Sequence, residues 1–365
     1  MKILTATVVA MRDFARKRRS KFRTLVAWKF MWGNYYGERL RDYPVTVALK
    51  LLFTRIIFLT QIPLLLPNRR FLVSYYGAKL NIPLFMHPIC MDMALGVYEY
   101  WKTRLFLQLV KDGMIAIDIG ACEGNYSILM AKLMHDKGRV IAVEPDPENS
   151  RLLGNNIRLN EFKSIEMHQF ALLDRQGTAT FYAAGSMGSL VSRSPWYAQF
   201  QLKPITVPVY KLDDILNDLD IRHVDIIKID VEGSEISVLR GAESTLRNNC
   251  LHLLMDVDVE SNAERMELYQ LLASFGYEMY RIGKRLTRIS RADELLLFPT
   301  NPVSCIKSSR RSPNDIMSLL EKGGRAVIPA KLLPKLGSIY YMIRPRTKKL
   351  NPIREIYAIK INSAV

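Results

Sequence analysis

Cysteine and histidine are both scarce in this sequence, which has four cysteines and five histidines among 365 residues. The cysteines are far apart, no C-x-x-C pair occurs, and no two histidines have the H-x-x-x-H spacing. Disulfide frameworks and structural zinc sites need such clusters. The sequence therefore predicts neither of them, and it favours a reducing compartment such as the cytoplasm.

The sequence also lacks an uncharged apolar run long enough to cross a membrane. Its most apolar stretch, residues 45–66, contains Lys50, Arg55 and Gln61, whereas a spanning helix needs about 20 apolar residues with few charges. At helical pitch most of its polar side chains fall near one face, namely Thr46, Lys50, Thr54 and Gln61. We expect an amphipathic helix that either packs on the rest of the protein or lies on a membrane surface.

Acidic residues are scarce at both ends of the chain. Residues 1–60 and residues 301–365 each hold 13 Lys or Arg and 3 Asp or Glu, and because the whole chain has a net charge of +17, the part between them is slightly acidic. Basic segments either bind an anionic membrane or nucleic acid or only add solubilising charge. We expect a basic and apolar helical N-terminal extension (1–80), a central domain (81–300) and a basic C-terminal extension (301–365).

The chain is organised around residues 114–133, where an apolar run is followed by a glycine turn and an apolar-periodic segment. The run carries Asp118 near its end and stops at Gly120, and Gly124 precedes the second segment. This pattern indicates a strand, a tight turn and a helix. Glycine lets a ligand approach the main chain closely, and a helix start offers free N–H groups. Such turns are also common without a ligand, so the turn alone does not decide between a binding site and a structural role.

A second apolar strand, residues 139–143, ends in Glu144, Pro145 and Asp146. An acid at this point holds ribose hydroxyls in doubly wound nucleotide-binding folds. The glycine turn reads G-x-x-x-G and lacks the G-x-G-x-x-G pattern that makes room for a pyrophosphate. The two features together predict an adenosine cofactor without a pyrophosphate, which S-adenosylmethionine fits better than NAD or FAD.

Strands and helices alternate beyond this unit. Apolar runs predict strands at 165–170, 224–229 and 251–257, hairpin strands at 178–182 and 205–210, closing strands at 277–282 and 294–298, and helices at 101–110, 147–159 and 264–275. Alternation of this kind favours a parallel sheet covered by helices on both faces. The predicted fold class is therefore α/β.

Two acids follow the strand at 224–229. Asp230 and Glu232 come directly after it, and because ligands of open α/β sheets lie outside the carboxyl ends of the strands, we expect them to face the same crevice as Gly120 and Glu144. Lys228 lies within the strand itself, where a buried cation needs a partner. Lys228 either belongs to an internal ion pair that fixes the fold or takes part in the chemistry.

The segments IDIGACEGNYS, AVEPDPEN, VYKLDDIL, DIIKIDVEG and SEISVLRGA, in this order and spacing, resemble the FkbM family of S-adenosylmethionine-dependent methyltransferases. The resemblance covers residues 96–299, roughly half of the chain. It implies a Rossmann-like, seven-stranded class I methyltransferase domain. It also implies O-methylation of hydroxyl groups, often on sugars or secondary metabolites.

Carried over by position, the resemblance implies a cofactor site around the glycine turn, with the methionine part on the turn, the ribose at Glu144 and the adenine bordered by Ala171. The predicted cofactor-binding residues are Asp118, Gly120, Ala121, Glu123, Gly124, Asn125, Tyr126, Ser127, Glu144, Pro145, Asp146 and Ala171. The predicted catalytic residues are Asp230, Glu232 and Lys228. One position departs from the family, because Cys122 stands where the family usually has Asn, and a side-chain hydrogen bond is lost there.

Methyl transfer from a sulfonium is an in-line displacement, and much of its catalysis comes from placing the acceptor oxygen about 3 Å from the methyl group. A carboxylate within hydrogen-bond reach helps a hydroxyl to lose its proton. Asp230 or Glu232 is the candidate for that role. A divalent metal on these acids would serve the same chemistry, but the sequence has no dedicated ligand set for one.

The favoured function is that of an O-methyltransferase acting on a hydroxyl of a sugar, glycan, glycolipid or small metabolite. We expect a cytoplasmic protein with peripheral attachment to an anionic membrane through its basic ends. One alternative is an RNA methyltransferase, which the basic ends favour, although the fourth strand ends in IDVEG and lacks the N/D-P-P-Y ending associated with base methylation. The other is a non-catalytic, membrane-associated binding protein that kept the fold.

Overall fold

The computed structural model describes residues 43–59, 63, 66, 69–183, 188–190, 203–257, 261–284 and 286–289, together with the backbone of 303–306 and 355–360. The predicted strand at 294–298, residues 185–187 of the loop after the first hairpin strand, and the basic residues 1–42 lie outside the described residues.

The described residues form nine helices and fourteen strands. The helices are α1 (Val45–Leu59), α2 (Pro88–Ala94), α3 (Tyr100–Leu109), α4 (Asn125–Leu133), α5 (Pro147–Asn160), α6 (Leu212–Asp218), α7 (Glu235–Gly241), α8 (Glu243–Asn248) and α9 (Asn262–Ser274). The strands are β1 (Phe71–Tyr75), β2 (Ala78–Ile82), β3 (Ile115–Ile119), β4 (Arg139–Val143), β5 (Ile165–His168), β6 (Ala171–Leu172), β7 (Gly177–Ala183), β8 (Lys203–Tyr210), β9 (Ile226–Ile229), β10 (His252–Asp256), β11 (Tyr277–Arg281), β12 (Thr287–Ile289), β13 (Val303–Ile306) and β14 (Glu355–Lys360).

The largest sheet has the order β13-β11-β14-β10-β9-β3-β4-β5. The five strands from β10 to β5 are parallel, and β3, β4, β9 and β10 are almost entirely buried apolar runs, as strands covered on both faces must be. The order of connection reverses between β3 and β9, and ligands of open α/β sheets bind at such a reversal. The predicted strands within this parallel part are confirmed to within two residues at their ends.

The other end of the sheet contains strands from the C-terminal region. Strand β14 lies antiparallel between β10 and β11, and β13 pairs antiparallel with β11. The described part of the chain places eight strands in this sheet, where seven were expected. Two of the eight, β13 and β14, come from the region beyond residue 300, which was expected to be an extension outside the domain.

A separate three-stranded sheet, with the order β6-β8-β7, follows β5. Its β7 and β8 are the predicted hairpin strands, paired antiparallel. Ser189, beyond β7, exchanges two backbone hydrogen bonds with Tyr182, at 2.8 Å and 3.2 Å. This pairing brings residues 188–190 back towards the carboxyl edge of the large sheet.

The N-terminal region differs from the helical extension expected from the sequence. Strands β1 and β2 form an antiparallel hairpin whose turn residues, Tyr76 and Gly77, both have positive φ, at 48° and 83°. Two such residues give the turn that matches the twist of paired strands. Tyr75 and Leu80 are buried in the main core, so the hairpin belongs to the domain.

Helix α1 packs on the domain through one face only. Its buried side chains are Val47, Leu51, Thr54 and Phe58. Its exposed apolar side chains are Leu49 (57%), Phe53 (51%) and Ile56 (50%). The predicted polar face is thus wrong at Thr54, which can be buried because its hydroxyl donates a 3.2 Å hydrogen bond to the carbonyl of Lys50. Within the described residues, no helix has the length and hydropathy needed to cross a membrane.

Candidate active site

An open cavity lies at the carboxyl edge of the large sheet, beside the reversal between β3 and β9. Residues following β3, β4, β5 and β9 line it together with side chains of the β6-β8-β7 sheet and its loop. The lining residues are Ile119, Gly120, Cys122, Val143, Glu144, Pro145, Asn149, Phe170, Ala171, Leu172, Phe181, Gly188, Leu190, Asp230, Val231 and Glu232. The predicted crevice therefore exists, and it brings Gly120 and Glu144 together with Asp230 and Glu232.

The turn after β3 passes so close to β9 that only glycine fits. Gly120 has a φ of +76°, and a Cβ built there would lie 1.8 Å from the carbonyl oxygen of Asp230. The carbonyl of Gly120 accepts a 2.8 Å hydrogen bond from the ammonium of Lys228. This packing fixes the floor of the cavity between the two strands.

The next residues of the turn are also constrained. Gly124 has a φ of +91°, and a Cβ there would lie 2.3 Å from Leu153 on α5. Cys122 has a φ of 51°, a conformation that Asn adopts more readily than most other side chains. Cysteine at the position where the family usually has Asn therefore adds local backbone strain.

Glu144 binds the glycine turn from the end of β4. Its carboxylate accepts hydrogen bonds from the backbone N–H of Cys122 at 2.7 Å and from that of Asp146 at 2.9 Å. Burial raises the pKa of Glu144 to about 7, although these hydrogen bonds oppose the change. A carboxyl with this pKa gains or loses its proton near neutral pH.

Asp146 has a structural role beside it. Its carboxylate accepts hydrogen bonds from the backbone N–H groups of Glu148 and Asn149 and so caps the start of α5. Its side chain points into the helix start and is not among the groups that line the cavity. The cap holds the backbone that supplies one of the two donors to Glu144.

Apolar side chains line the cavity after β5 and along the β6-β8-β7 sheet. Phe170 and Ala171 follow β5, while Phe181 and Leu190 come from β7 and from the loop that pairs with it. Apolar and aromatic walls with a few polar groups are typical of pockets for heteroaromatic ligands. Phe181 and Leu190 were not found from the sequence, because only the hairpin pairing brings them here.

Asp230 and Glu232 line the opposite end of the cavity. The ammonium of the buried Lys228 lies 3.5 Å from the Asp230 carboxylate and 3.2 Å from that of Asp118. Burial raises the pKa of Asp230, but the ammonium groups of Lys228 and Lys102 outweigh it and hold the pKa below the usual value. Asp230 is therefore a charged group at neutral pH.

Asp118 and Lys228 are internal partners. Asp118 is completely buried and accepts a 2.6 Å hydrogen bond from the hydroxyl of Ser127. Burial lowers the pKa of Lys228, but Asp118 and Asp230 more than offset this and raise it above the usual value. The ion-pair interpretation of Lys228 agrees with this geometry, and Lys228 meets the cavity only through Asp230 and Gly120.

Glu232 has a left-handed backbone conformation with a φ of 52°. Its carbonyl accepts a 2.7 Å hydrogen bond from the hydroxyl of Ser189, which is itself buried. Strained residues of this kind often occur at functional sites, where neighbouring structure holds them. Ser189 thus ties the loop after β7 to the acidic end of the cavity.

The cavity brings together six of the predicted site residues: Gly120, Glu144, Pro145, Ala171, Asp230 and Glu232. The others lie beside it or beneath it: Asp118, Ala121, Glu123, Gly124, Asn125, Tyr126, Ser127, Asp146 and Lys228. Among the second group, Glu123 forms an ion pair with Arg70 at 2.6 Å, and Tyr126 donates a 2.6 Å hydrogen bond to Glu99. The predicted roles of all these residues stay predictions.

Comparison with known proteins finds similarity to methyltransferases. Residues 118–279 match the family model described as the methyltransferase FkbM domain. Methyltransferase 1 of Beauveria bassiana is 26% identical over 184 residues, which cover 46% of this chain and 70% of the relative. The 2-O-methyltransferase NoeI of Sinorhizobium fredii is 24% identical over 151 residues, which cover 38% of this chain and 61% of NoeI.

Among solved structures, a methyltransferase FkbM from Methylobacillus flagellatus is similar to 70% of this chain. The match covers 60% of that structure, with 19% sequence identity and a TM-score of 0.38. Both this match and the match to NoeI span about three fifths of the relative's length.

Proposed function

We propose that the protein is an S-adenosylmethionine-dependent O-methyltransferase for a hydroxyl of a sugar, glycan, glycolipid or small metabolite. The match of residues 118–279 to the methyltransferase FkbM domain supports this. The observation that carries the proposal is the pairing of two different carboxyl environments in one cavity. Glu144 is held by backbone N–H groups, and Asp230 is held by lysine. That one relative is named a 2-O-methyltransferase supports a hydroxyl acceptor.

The proposed orientation of the cofactor follows the lining of the cavity. The apolar side chains near Phe170 and Ala171 would hold the adenine, and Glu144 would accept hydrogen bonds from the ribose hydroxyls. The turn at Gly120 and Cys122 would hold the methionine part, so the sulfonium and its methyl group would lie beside Asp230 and Glu232.

In the proposed reaction, a lone pair of the acceptor oxygen attacks the methyl carbon while the carbon–sulfur bond breaks. The sulfur keeps the electron pair of that bond, which gives neutral S-adenosylhomocysteine. The hydroxyl proton passes to the carboxylate of Asp230 or Glu232. Because a low pKa makes Asp230 a weak base, its main contribution is to orient the hydroxyl and to take the proton late in the step.

Isotope labelling tests this proposal. Purified protein is incubated with methyl-labelled S-adenosylmethionine and separate lipid, glycan, small-metabolite and RNA fractions, and the labelled products are resolved by mass. We expect label as a methyl ether in a hydroxyl-containing fraction. Label in RNA alone would favour the nucleic-acid alternative, and tight binding of NAD without binding of S-adenosylmethionine would overturn the cofactor assignment.

We also propose that helix α1 and the basic N-terminal region attach the protein to an anionic membrane surface. The exposed side chains of Leu49, Phe53 and Ile56 give the helix an outward apolar face, and residues 1–60 carry 13 basic and 3 acidic residues. An apolar face flanked by basic charge is typical of interfacial helices. Each basic residue near such a surface adds about 1 kcal/mol.

Liposome co-sedimentation tests the attachment. We expect full-length protein to bind liposomes that contain anionic lipid and to bind less as salt is raised. Replacing Leu49, Phe53 and Ile56 by Ser should remove the binding that persists at high salt. Protein that stays in the supernatant with anionic liposomes at low salt, while it binds RNA, would contradict membrane attachment.

A further inference from the structure

We propose that Lys102 and Asp256, which lie outside the predicted site, are positioning residues that hold the Asp230 carboxylate at the acidic end of the cavity. The inference rests on the proposed function, because it concerns the end of the cavity assigned to the sulfonium. It adds two residues from two further elements, the helix α3 and the strand β10. Neither was predicted from the sequence.

Lys102 is a buried cation between two acids. Its ammonium lies 2.6 Å from the carboxylate of Glu99 and 2.6 Å from that of Asp256, and the side chain is only 1% exposed. Burying a charge at this depth is costly unless it is paired. The pairs therefore fix Lys102 rigidly, and Lys102 in turn fixes Asp256.

Asp256 connects this pair to the cavity. It ends β10, the strand next to β9, so the carboxyl ends of the two strands bring Asp256 beside Asp230. Met255 of β10 pairs with Ile229 of β9 in the parallel register, so Asp256 and Asp230 are the next residues along the two neighbouring strands. Asp230 thus has Lys228 on one side and the Asp256–Lys102 pair on the other.

Tyr126 separates the two lysines of this cluster. The ammonium groups of Lys102 and Lys228 lie 5.3 Å and 5.7 Å from the centre of its ring, which attracts cations through its π face. The hydroxyl of Tyr126 donates to Glu99 at 2.6 Å. Tyr126, a residue predicted to bind the cofactor, therefore contacts both lysines of this cluster.

Several charged or titratable groups act on Asp230. Lys228 of β9 and Lys102 of α3 lower its pKa, Asp256 ends the neighbouring strand β10, and Asp230 is one of the groups that raise the pKa of Tyr98 before α3. Asp118 and Glu99 act one step further away, through the two lysines. Without Lys102, one of the two cations that lower the pKa of Asp230 is gone, so we expect that pKa to rise.

The test uses the affinities of S-adenosylmethionine and S-adenosylhomocysteine, measured by calorimetry between about pH 5 and about pH 7. The two ligands share the ribose, so the titration of Glu144 cancels in the ratio of their affinities. The ratio therefore measures how strongly the sulfonium charge, which only S-adenosylmethionine carries, interacts with the charge of Asp230. For the unmodified protein we expect a ratio that does not change with pH in this range.

In Lys102→Met we expect the ratio to fall as the pH is lowered, because the pKa of Asp230 rises by about one unit or more when this cation is removed. Lys102→Arg keeps the charge and should restore the constant ratio. The control Arg240→Met removes an exposed ion pair with Glu267 and should leave the ratio constant. A ratio in Lys102→Met that stays constant with pH would overturn the inference.

If Lys102→Met does not fold, the double variant Lys102→Met/Asp256→Asn is measured instead. It removes both charges of the buried pair and so leaves neither of them unpaired. We expect its preference for S-adenosylmethionine at neutral pH to fall roughly threefold or more, with S-adenosylhomocysteine bound as before. An unchanged preference would overturn the inference. If the unmodified protein binds neither ligand, the proposed function fails, and the inference fails with it.

Discussion

Glu144 and Asp230 line the same cavity in opposite electrostatic surroundings. The carboxylate of Glu144 is held by two backbone N–H groups, and burial raises its pKa to about 7. Asp230 lies beside the ammonium of Lys228, and the lysines hold its pKa below the usual value although burial acts in the other direction. One acid can exchange a proton at neutral pH, and the other stays charged.

The difference in surroundings suits the two acids to two different parts of the cofactor, the ribose and the sulfonium. Ribose hydroxyls are neutral donors, and an acid held by backbone groups can accept from them without a nearby cation. A sulfonium is a cation, and a carboxylate that stays ionised is suited to face it and the hydroxyl that attacks it. Acids whose surroundings move their pKa values apart commonly have different roles in one site.

The largest expected effect comes from removing the charged acid. In Asp230→Asn we expect turnover to fall about 10²-fold or more, because the amide cannot take the hydroxyl proton. The affinity for S-adenosylhomocysteine should stay within about twofold, since Glu144 is untouched. Methyl incorporation from labelled S-adenosylmethionine measures the turnover, and calorimetry measures the affinity for S-adenosylhomocysteine. Equal turnover in Asp230→Asn, Glu232→Gln and the unmodified protein would remove both acids from the mechanism.

The next effect concerns Glu144. Ribose hydroxyls favour its ionised form, so a cofactor that binds below about pH 7 must release a proton, and affinity should fall by up to about tenfold per pH unit on acidification. Glu144→Ala should weaken binding by about 1–3 kcal/mol at neutral pH and abolish the pH dependence. Calorimetric titration of S-adenosylhomocysteine in buffers of different ionisation enthalpy gives the number of protons released on binding. Affinity independent of pH would contradict this role.

Asp92 is a third buried carboxyl to compare with Glu144 and Asp230. It belongs to α2, and burial raises its pKa to about 8, although Thr54 and Arg55 of α1 act in the other direction. Between the ordinary pKa of Asp and about pH 8, the folded protein holds a proton that the unfolded chain has released, so stability falls as pH rises through this range.

Asp92→Asn should therefore increase the free energy of unfolding at about pH 8 by on the order of 1–2 kcal/mol and flatten its dependence on pH. Denaturant unfolding at several pH values measures the change. Asp112→Asn is a matched control, since Asp112 is a surface acid whose pKa is lowered by His135 and Lys137. If Asp92→Asn is less stable than the unmodified protein at every pH, Asp92 is not a buried protonated group.

The smallest expected effect is at Cys122. Because its φ of 51° is easier for Asn, Cys122→Asn should stabilise the fold by about 0.5–1 kcal/mol and leave the N–H donated to Glu144 in place. Thermal unfolding with and without S-adenosylhomocysteine measures both effects. A loss of stability would show that the thiol makes packing contacts worth more than the strain.

The parallel part of the sheet could be predicted because its strands are short apolar runs that end in Gly or an acid, as at Gly120, Glu144 and Asp230. Contacts between segments that are distant in the sequence could not be predicted. The partner of Lys228, the approach of Phe181 and Leu190, and the Lys102–Asp256 pair all depend on how strands and helices assemble. The hairpin at 71–82 was missed because Tyr76 and Gly77 are not a common turn pair.

One set of titrations tests the central claim most directly: S-adenosylmethionine and S-adenosylhomocysteine, each against Glu144→Gln and Asp230→Asn at neutral pH. We predict that Glu144→Gln weakens both ligands by the same factor, about tenfold or more. We predict that Asp230→Asn leaves S-adenosylhomocysteine unchanged and selectively weakens S-adenosylmethionine. If both variants change the two affinities in the same way, the two carboxyls do not divide the cofactor between them, and the account is wrong.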